Sequence, residues 1–204
     1  MSANIFIVRH GQDIDNANGI LNGRRSLPLT DLGRRQAIEL AIAIKEAGIN
    51  FHAVYCSPLD RSKETASILC DILGLKSKPV ILPELIEREF GVMTGVSVGA
   101  IEECCQPDIL KTDKIVYFLN PEGAETFQEL MERGNLVFNQ VNSYHAEGNI
   151  LLVCHGDIGK MIYASATGKD WESALREFHF GNGDLIEISS GNVAHIVRLT
   201  QYNL

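Results

Sequence analysis

Two histidines sit in matching contexts far apart in the chain. His10 follows the apolar run Ile5-Phe6-Ile7-Val8 and Arg9, His155 follows Leu151-Leu152-Val153-Cys154, and each is succeeded by a glycine, Gly11 or Gly156. Glycine lets the backbone turn sharply and leaves no side chain to block a ligand. A helical pattern after His155 would present free N–H groups to an anion, and Arg61 falls in the first turn of a separate helical pattern. A phosphate monoester carries nearly two negative charges, and two arginines can each offer its oxygens a planar fork of donors. A neutral imidazole can attack phosphorus directly, which makes His10 the candidate nucleophile and His155 a donating neighbour. Arg9 and Arg61 would form the clamp that phosphoryl transfer requires. A leaving alkoxide needs a proton, and Glu87 in Leu85-Ile86-Glu87-Arg88-Glu89-Phe90-Gly91 is the candidate acid, its pKa raised by its pocket. Taken singly, each residue has a plainer explanation: a structural strand-end histidine, a solvated arginine, a surface Glu87–Arg88 ion pair. Their joint occurrence at successive element ends carries the argument.

The elements that must position these groups follow from hydrophobic periodicity. Apolar runs at 4–8, 53–56, 150–154, 184–188 and 193–199 read as strands, the first nearly continuous in Ile, Val and Phe as suits a strand buried on both faces. A helix is predicted over 31–47, from Leu32, Leu40, Ala43, Ile44 and Ala47, with Gly48 as its stop. A second is predicted from Ser57 to about Gly74, with the Ser57 hydroxyl as N-cap and Pro58 at the first helical position. A third covers 123–142 and a fourth follows Gly156. Strands alternating with helices predict an α/β fold with a mostly parallel, helix-flanked sheet, whose ligands bind beyond the carboxyl ends of the strands. Segment 89–121, with Gly91, Gly95, Gly99, Pro107 and Pro121 and a weak helical stretch near 97–105, is an irregular insertion of the functional kind.

Composition limits the partners. The 204 residues suffice for one sizeable core, so a single domain over 1–204 is expected. With 18 Lys+Arg against 26 Asp+Glu the net charge is −8, the wrong sign for nucleic acid or an anionic membrane. Positive charge must be gathered in a pocket. The expectation is a soluble cytoplasmic protein, without signal peptide or membrane span, acting on a small phosphorylated metabolite. Five scattered cysteines, Cys56, Cys70, Cys104, Cys105 and Cys154, exclude a disulfide framework or zinc finger. The oligomeric state is left open, a homodimer included.

The motifs resemble the histidine phosphatase superfamily, in its phosphoglycerate-mutase-like branch. Val8-Arg9-His10-Gly11-Gln12 resembles the family's first signature, with Asn16 and Gly23 at matching spacings; Pro28-Leu29-Thr30, Gly33 and Gln36-Ala37 resemble the entry to the first helix. Ser57-Pro58-Leu59 with Arg61 and Glu64-Thr65-Ala66, Glu87-Arg88 with Phe90-Gly91, Pro121-Glu122-Gly123-Ala124-Glu125, and the strand ending in His155-Gly156 continue the likeness in order. The resemblance implies a three-layer α/β/α domain without metal or organic cofactor. It further implies that His10 becomes phosphorylated, that Arg9, Arg61, His155 and Asn16 hold the phosphoryl group, that backbone at Gly156-Asp157 completes the pocket, and that Glu87 donates the proton.

The chain also departs from the pattern. Asp13 stands where the family commonly has Ser or Thr, Gly91-Val92-Met93-Thr94-Gly95 lacks the frequent Trp-Glu, Gly23-Arg24 lacks the mutases' Trp, and Lys160 replaces a common arginine. Between Gly91 and Pro121 only Lys111 and Lys114 face Glu102, Glu103, Asp108 and Asp113, a poor cage for a bisphosphate. A phosphatase is therefore expected ahead of a cofactor-dependent phosphoglycerate mutase, with a non-catalytic phosphate-binding module as a further alternative. Arg88, with Arg24 and Arg25, is the candidate reader of a distal anionic group on the substrate.

Overall fold

A computed structural model describes residues 3–177, 179–189 and 192–197. Its elements run β1 (Asn4–Arg9), α1 (Ile14–Ala17), α2 (Asp31–Glu46), β2 (Ala53–Cys56), α3 (Asp60–Leu73), β3 (Val80–Ile81), α4 (Ile101–Cys105), β4 (Ile109–Lys111), β5 (Val116–Phe118), α5 (Phe127–Tyr144), β6 (Asn149–Cys154), α6 (Gly156–Thr167), α7 (Trp171–Glu177), β7 (Leu185–Ser189) and β8 (Asn192–Val197). The main sheet has the order β3-β2-β6-β1-β7-β8. Its first four strands are parallel, and β7 and β8 complete it as an antiparallel hairpin beside β1.

The period of two along the central strands divides the core into two layers. Ile5 and Ile7 of β1, with Ile150, Leu152 and Cys154 of β6, pack under α5, α6 and α7. The alternate residues Phe6, Val8, Leu151 and Val153 pack under α2 and α3, against Leu40, Ala41, Ile44, Ala66 and Leu69. A strand buried on both faces must be apolar at every position, which explains the unbroken runs. Each large apolar side chain so buried contributes about 1.5–3 kcal/mol relative to exposure. The result is the expected α/β/α arrangement.

Several boundaries differ from expectation. The helix predicted from Ser57 begins at Asp60, with Leu59 at its N-cap and no side-chain cap; the Ser57 hydroxyl accepts from the Leu59 N–H at 3.3 Å, ahead of the helix, and meets His155 on its other side. The helix predicted over 123–142 begins at Phe127, where Thr126 and Glu129 form a reciprocal capping box. Strand β3, only two residues long and exposed, carries no readable pattern. The part of the predicted strand 193–199 beyond 197 lies outside the described residues. The insertion is more ordered than its glycines and prolines suggested. Its 3-10 turns, α4 and the β4–β5 hairpin close over a small apolar cluster of Phe90, Met93, Ile101, Cys105 and Phe118.

Register places the histidines. Arg9 pairs with Cys154 across β1 and β6, so His10 and His155 leave the sheet side by side, with the His10 N–H donating to the Cys154 carbonyl at 3.0 Å. Cys56 of β2 pairs with Val153, which brings Ser57 beside His155. The loop after His10 lies flat on the first turn of α2: a Cβ on Gly11 would stand 2.2 Å from the Gly33 carbonyl oxygen, and one on Gly33 would stand 2.1 Å from that of Gln12. Overpacking backbone against backbone leaves nothing to rotate away. Gly33→Ala is expected to destabilise the fold by about 2 kcal/mol or more, read as a lower urea midpoint at unchanged slope. A midpoint within error of the parent would refute this close approach.

Candidate active site

Arg61 lies on the first turn of α3 and is fully buried. Its Nε donates to His10 Nε2 at 3.0 Å and to His155 Nδ1 at 3.2 Å, and lies 3.3 Å from Asp13 Oδ2. Its Nη2 donates to the Gly23 carbonyl at 2.7 Å, and its Nη1 to the Arg25 carbonyl. The two imidazoles meet edge to face with centroids 5.0 Å apart.

These contacts determine the tautomers. His10 Nδ1 lies 2.7 Å from the Gly11 carbonyl and must donate to it, so Nε2 keeps its lone pair. His155 Nδ1 accepts from Arg61, so its Nε2–H donates to the Ser57 hydroxyl at 2.7 Å. Burial, and after it the positive charge of Arg61, hold both imidazoles well below the ordinary histidine range. Both are neutral at physiological pH.

Glu87 is buried beside this pair. Its Oε1 accepts from the N–H groups of Arg88 at 2.9 Å and Ile158 at 3.2 Å, and its Oε2 from that of Asp157 at 3.3 Å. The N-terminus of α6, expected to offer free donors to a bound anion, instead has two of its N–H groups on this side chain. Burial, reinforced by the Asp157 charge, outweighs those hydrogen bonds and raises the Glu87 carboxyl above its ordinary range. Arg133 of α5 sets the segment in place by donating to the carbonyls of Glu84, Ile86 and Glu87, while it pairs with Glu125 at 2.7 Å.

Arg9 donates to the Phe180 carbonyl at 2.6 Å, and its Nε is buried without a partner. A Cβ on Gly156 would touch both the Arg9 guanidinium and Glu87 Oε2 at 3.8 Å, so that glycine keeps the space between them open. Arg9, Asn16, Glu87, Arg88, Gly156 and Asp157 all line one cavity of about 230 Å³. His10 and His155 adjoin it through their chain neighbours Arg9 and Gly156, which do line it, and Gly23, whose carbonyl accepts from Arg61, has φ +46°, a conformation that favours glycine.

Arg88 is neither solvated nor paired with the Glu87 side chain. It is buried, with Nε 2.8 Å from Asp157 Oδ2 and its guanidinium 4.2 Å from the ring centres of both Phe118 and Phe127. Arg24 is drawn to Glu89 and Glu125, and Arg25 to Asp15. Asp13 is fully buried, where its Oδ1 accepts from the Asn16 N–H at 2.7 Å, capping α1, and its Oδ2 from the Asn22 amide at 2.6 Å.

Sequence reasoning missed three supports. Ser57, expected as a helix cap, instead orients His155. Thr65 accepts from the Gly11 N–H at 3.2 Å while donating to the Arg61 carbonyl at 2.7 Å. Asn182 donates to the His10 carbonyl at 3.1 Å and to Asn16 Oδ1 at 3.0 Å. Ser57 and Thr65 stand inside a recognisable motif, whereas Asn182 does not.

Asp13 places a buried negative charge against a cation that would receive an oxyanion. Asp13→Ser retains an N-cap hydroxyl for α1 and removes that charge. Inorganic phosphate is expected to bind the variant about tenfold more tightly, as roughly 1–3 kcal/mol of like-charge repulsion is relieved. Titration calorimetry checks this, and unchanged or weaker binding would mean that Asp13 chiefly orients Arg61.

A family profile described as histidine phosphatase superfamily (branch 1) matches residues 5–201. Among curated proteins, the chain is 28% identical to a metal-independent phosphoserine phosphatase of Arabidopsis thaliana, over 94% of this chain and 82% of that protein. It is 29% identical to a 2,3-bisphosphoglycerate-dependent phosphoglycerate mutase of Rhizobium etli, over 75% of each. Among solved structures, a mycobacterial glucosyl-3-phosphoglycerate phosphatase superposes with a TM-score of 0.77 at 20% identity, covering 92% and 93% of the two chains. An alpha-ribazole phosphatase from Shigella flexneri gives 0.71 at 25% identity, covering 93% of each.

Proposed function

The chain belongs to the histidine phosphatase superfamily, a family with phosphatase and mutase members, and on that premise we propose that it hydrolyses phosphomonoesters through a phosphohistidine on His10, with Glu87 as the proton donor. The observation that carries this reading is the His10 tautomer: with Nδ1–H tied to the Gly11 carbonyl, Nε2 carries no proton, and its lone pair, held by the Arg61 Nε–H, attacks once that donor turns away.

In the first half-reaction His10 Nε2 bonds to phosphorus as the P–O ester bond breaks. The departing oxygen takes the proton held by Glu87, and Arg9, Arg61 and the His155 side of the pocket stabilise the equatorial oxygens. In the second, water gives a proton to the Glu87 carboxylate and attacks phosphorus. The P–N bond breaks and inorganic phosphate leaves with both groups restored. The substrate must first displace the Arg61 Nε–H from His10, which the guanidinium can do by turning its donors to the phosphoryl oxygens.

Similarity to a phosphoglycerate mutase makes transfer to a second hydroxyl the rival reading. It would require cations for a second phosphate, and Arg88, Arg24 and Arg25 are already committed to Asp157, Glu125 and Asp15. Phosphate release from 3-phosphoglycerate or simple alkyl phosphates, compared with isomerisation in the presence of catalytic bisphosphate, separates the two. Faster isomerisation would establish the mutase, and no release above a His10→Ala control would refute hydrolysis.

The pKa directions give the pH profile. Glu87 acts when protonated, so kcat/KM falls as pH rises through its pKa, which lies above the ordinary carboxylate value. His10 acts when neutral, so the acid limb lies well below the usual imidazole value. Glu87→Gln is expected to remove the alkaline limb and to cost about 10²-fold or more on alkyl phosphates, but far less on 4-nitrophenyl phosphate, whose leaving group needs no proton. Equal losses on both esters would reassign the acid.

A further inference from the structure

The cavity has two unlike ends. Arg9, Glu87 and Gly156 form the end at the phosphoryl chemistry, whereas Val98, Ile101, Ile115 and Val116 of the insertion, with Ile20, supply the apolar walls of the other; Asn22, Tyr117, Lys160 and His179 also line the cavity. Those side chains would ordinarily close a core. Here Ile101 packs on Phe90 and Phe118, while Val98 is half exposed at the rim. The cations at this end are already occupied. Arg88 is neutralised by Asp157 and enclosed between two aromatic rings, and the buried Lys160 Nζ donates to the Tyr117 hydroxyl at 2.8 Å and to the Leu175 carbonyl at 3.1 Å. A second anion or a polyhydroxy group seated here would give up its hydration to apolar walls, with few donors in exchange. An apolar group would gain by the same burial.

We propose that the substrate's ester group is an uncharged, mainly apolar alcohol of about one ring in size, seated against Ile20, Val98, Ile101, Ile115 and Val116. This assignment of substrate class rests on the phosphatase reading above. The size follows from the cavity, whose volume of about 230 Å³ is below that of pockets holding drug-sized ligands. The walls come chiefly from the insertion, so it is this segment that selects the alcohol while β1, β6 and α3 handle the phosphoryl group.

The test compares 2-phenylethyl phosphate with glycerol 3-phosphate and 3-phosphoglycerate, all of which leave as alkyl alcohols that need the Glu87 proton. The expected kcat/KM is about 10- to 100-fold higher for the phenylethyl ester, and Val98→Asp at the exposed rim is expected to reduce that ratio about tenfold. Binding is measured in parallel on His10→Ala with 2-phenylethylphosphonate and its 2,3-dihydroxypropyl counterpart, where the apolar phosphonate should bind more tightly and with a negative heat-capacity change. Equal or better use of glycerol 3-phosphate overturns the proposal. So does a preference for 3-phosphoglycerate, which would mean that Lys160 and Tyr117 read a carboxylate. Absence of turnover with the phosphonate preference intact would refute the phosphatase reading and leave the apolar site standing; absence of both would refute both.

Discussion

A fully buried guanidinium organises this molecule. Taking Arg61 out of water costs several kcal/mol unless its charge is matched and its donors are satisfied. The neighbourhood supplies the Asp13 carboxylate, two backbone carbonyls and two imidazole nitrogens. These partners come from three separate segments, residues 10–13, 23–25 and 155, so satisfying one cation brings together the ends of β1 and β6, the loop at Gly23 to Arg25 and the start of α3. Burial keeps the histidines neutral, and the same cation adds to it through its charge and its claim on their lone pairs. Structural and chemical demands therefore coincide on one side chain.

Placing that cation depends on strand register. Parallel pairing of β1 with β6 and of β6 with β2 sets His10, His155 and Ser57 in a row along one edge of the sheet, at a spacing fixed by backbone hydrogen bonding and not by side-chain packing. A slip of one residue would turn every core side chain to the opposite layer. The division of Ile5 and Ile7 from Phe6 and Val8 between the two halves of the core thus protects the geometry of the site. Buried hydroxyls finish the alignment: Ser62 bonds the Val153 carbonyl and the Ser57 N–H, tying α3 to the strand ends it serves.

What was legible in the sequence follows from this. His10, His155 and the helix-flanked α/β fold were visible because they rest on local pattern: apolar runs, a residue at a strand end, a glycine after it. Arg61 and Glu87 stood out only as members of an ordered set of motifs. The supports were hidden because they are contacts between distant segments. Ser57 has the local features of a helix cap, and nothing near it reveals that its hydroxyl faces His155. Arg133 looks like one more surface base on an amphipathic helix, yet it gathers the carbonyls of the Glu87 segment. The N-terminus of α6 was correctly placed, but its use was not, since a carboxylate from far upstream takes the donors expected to meet the substrate.

The charge pattern bears on specificity. The chain carries a net charge of −8, and the arginines around the cavity are matched one by one: Arg61 with Asp13, Arg88 with Asp157, Arg25 with Asp15, Arg24 with Glu89 and Glu125. Among the described residues Arg9 forms no ion pair, and its Nε is buried without a partner. A phosphoryl dianion entering the pocket therefore meets one uncompensated arginine, a second whose charge is shared with Asp13, and two neutral imidazoles. On the hydrolase reading proposed above, that charge serves one phosphate and not two. An acidic protein can bind a phosphate tightly only by concentrating cations locally, and with the other arginines around the cavity paired, Arg9 is where such an attraction would be confined.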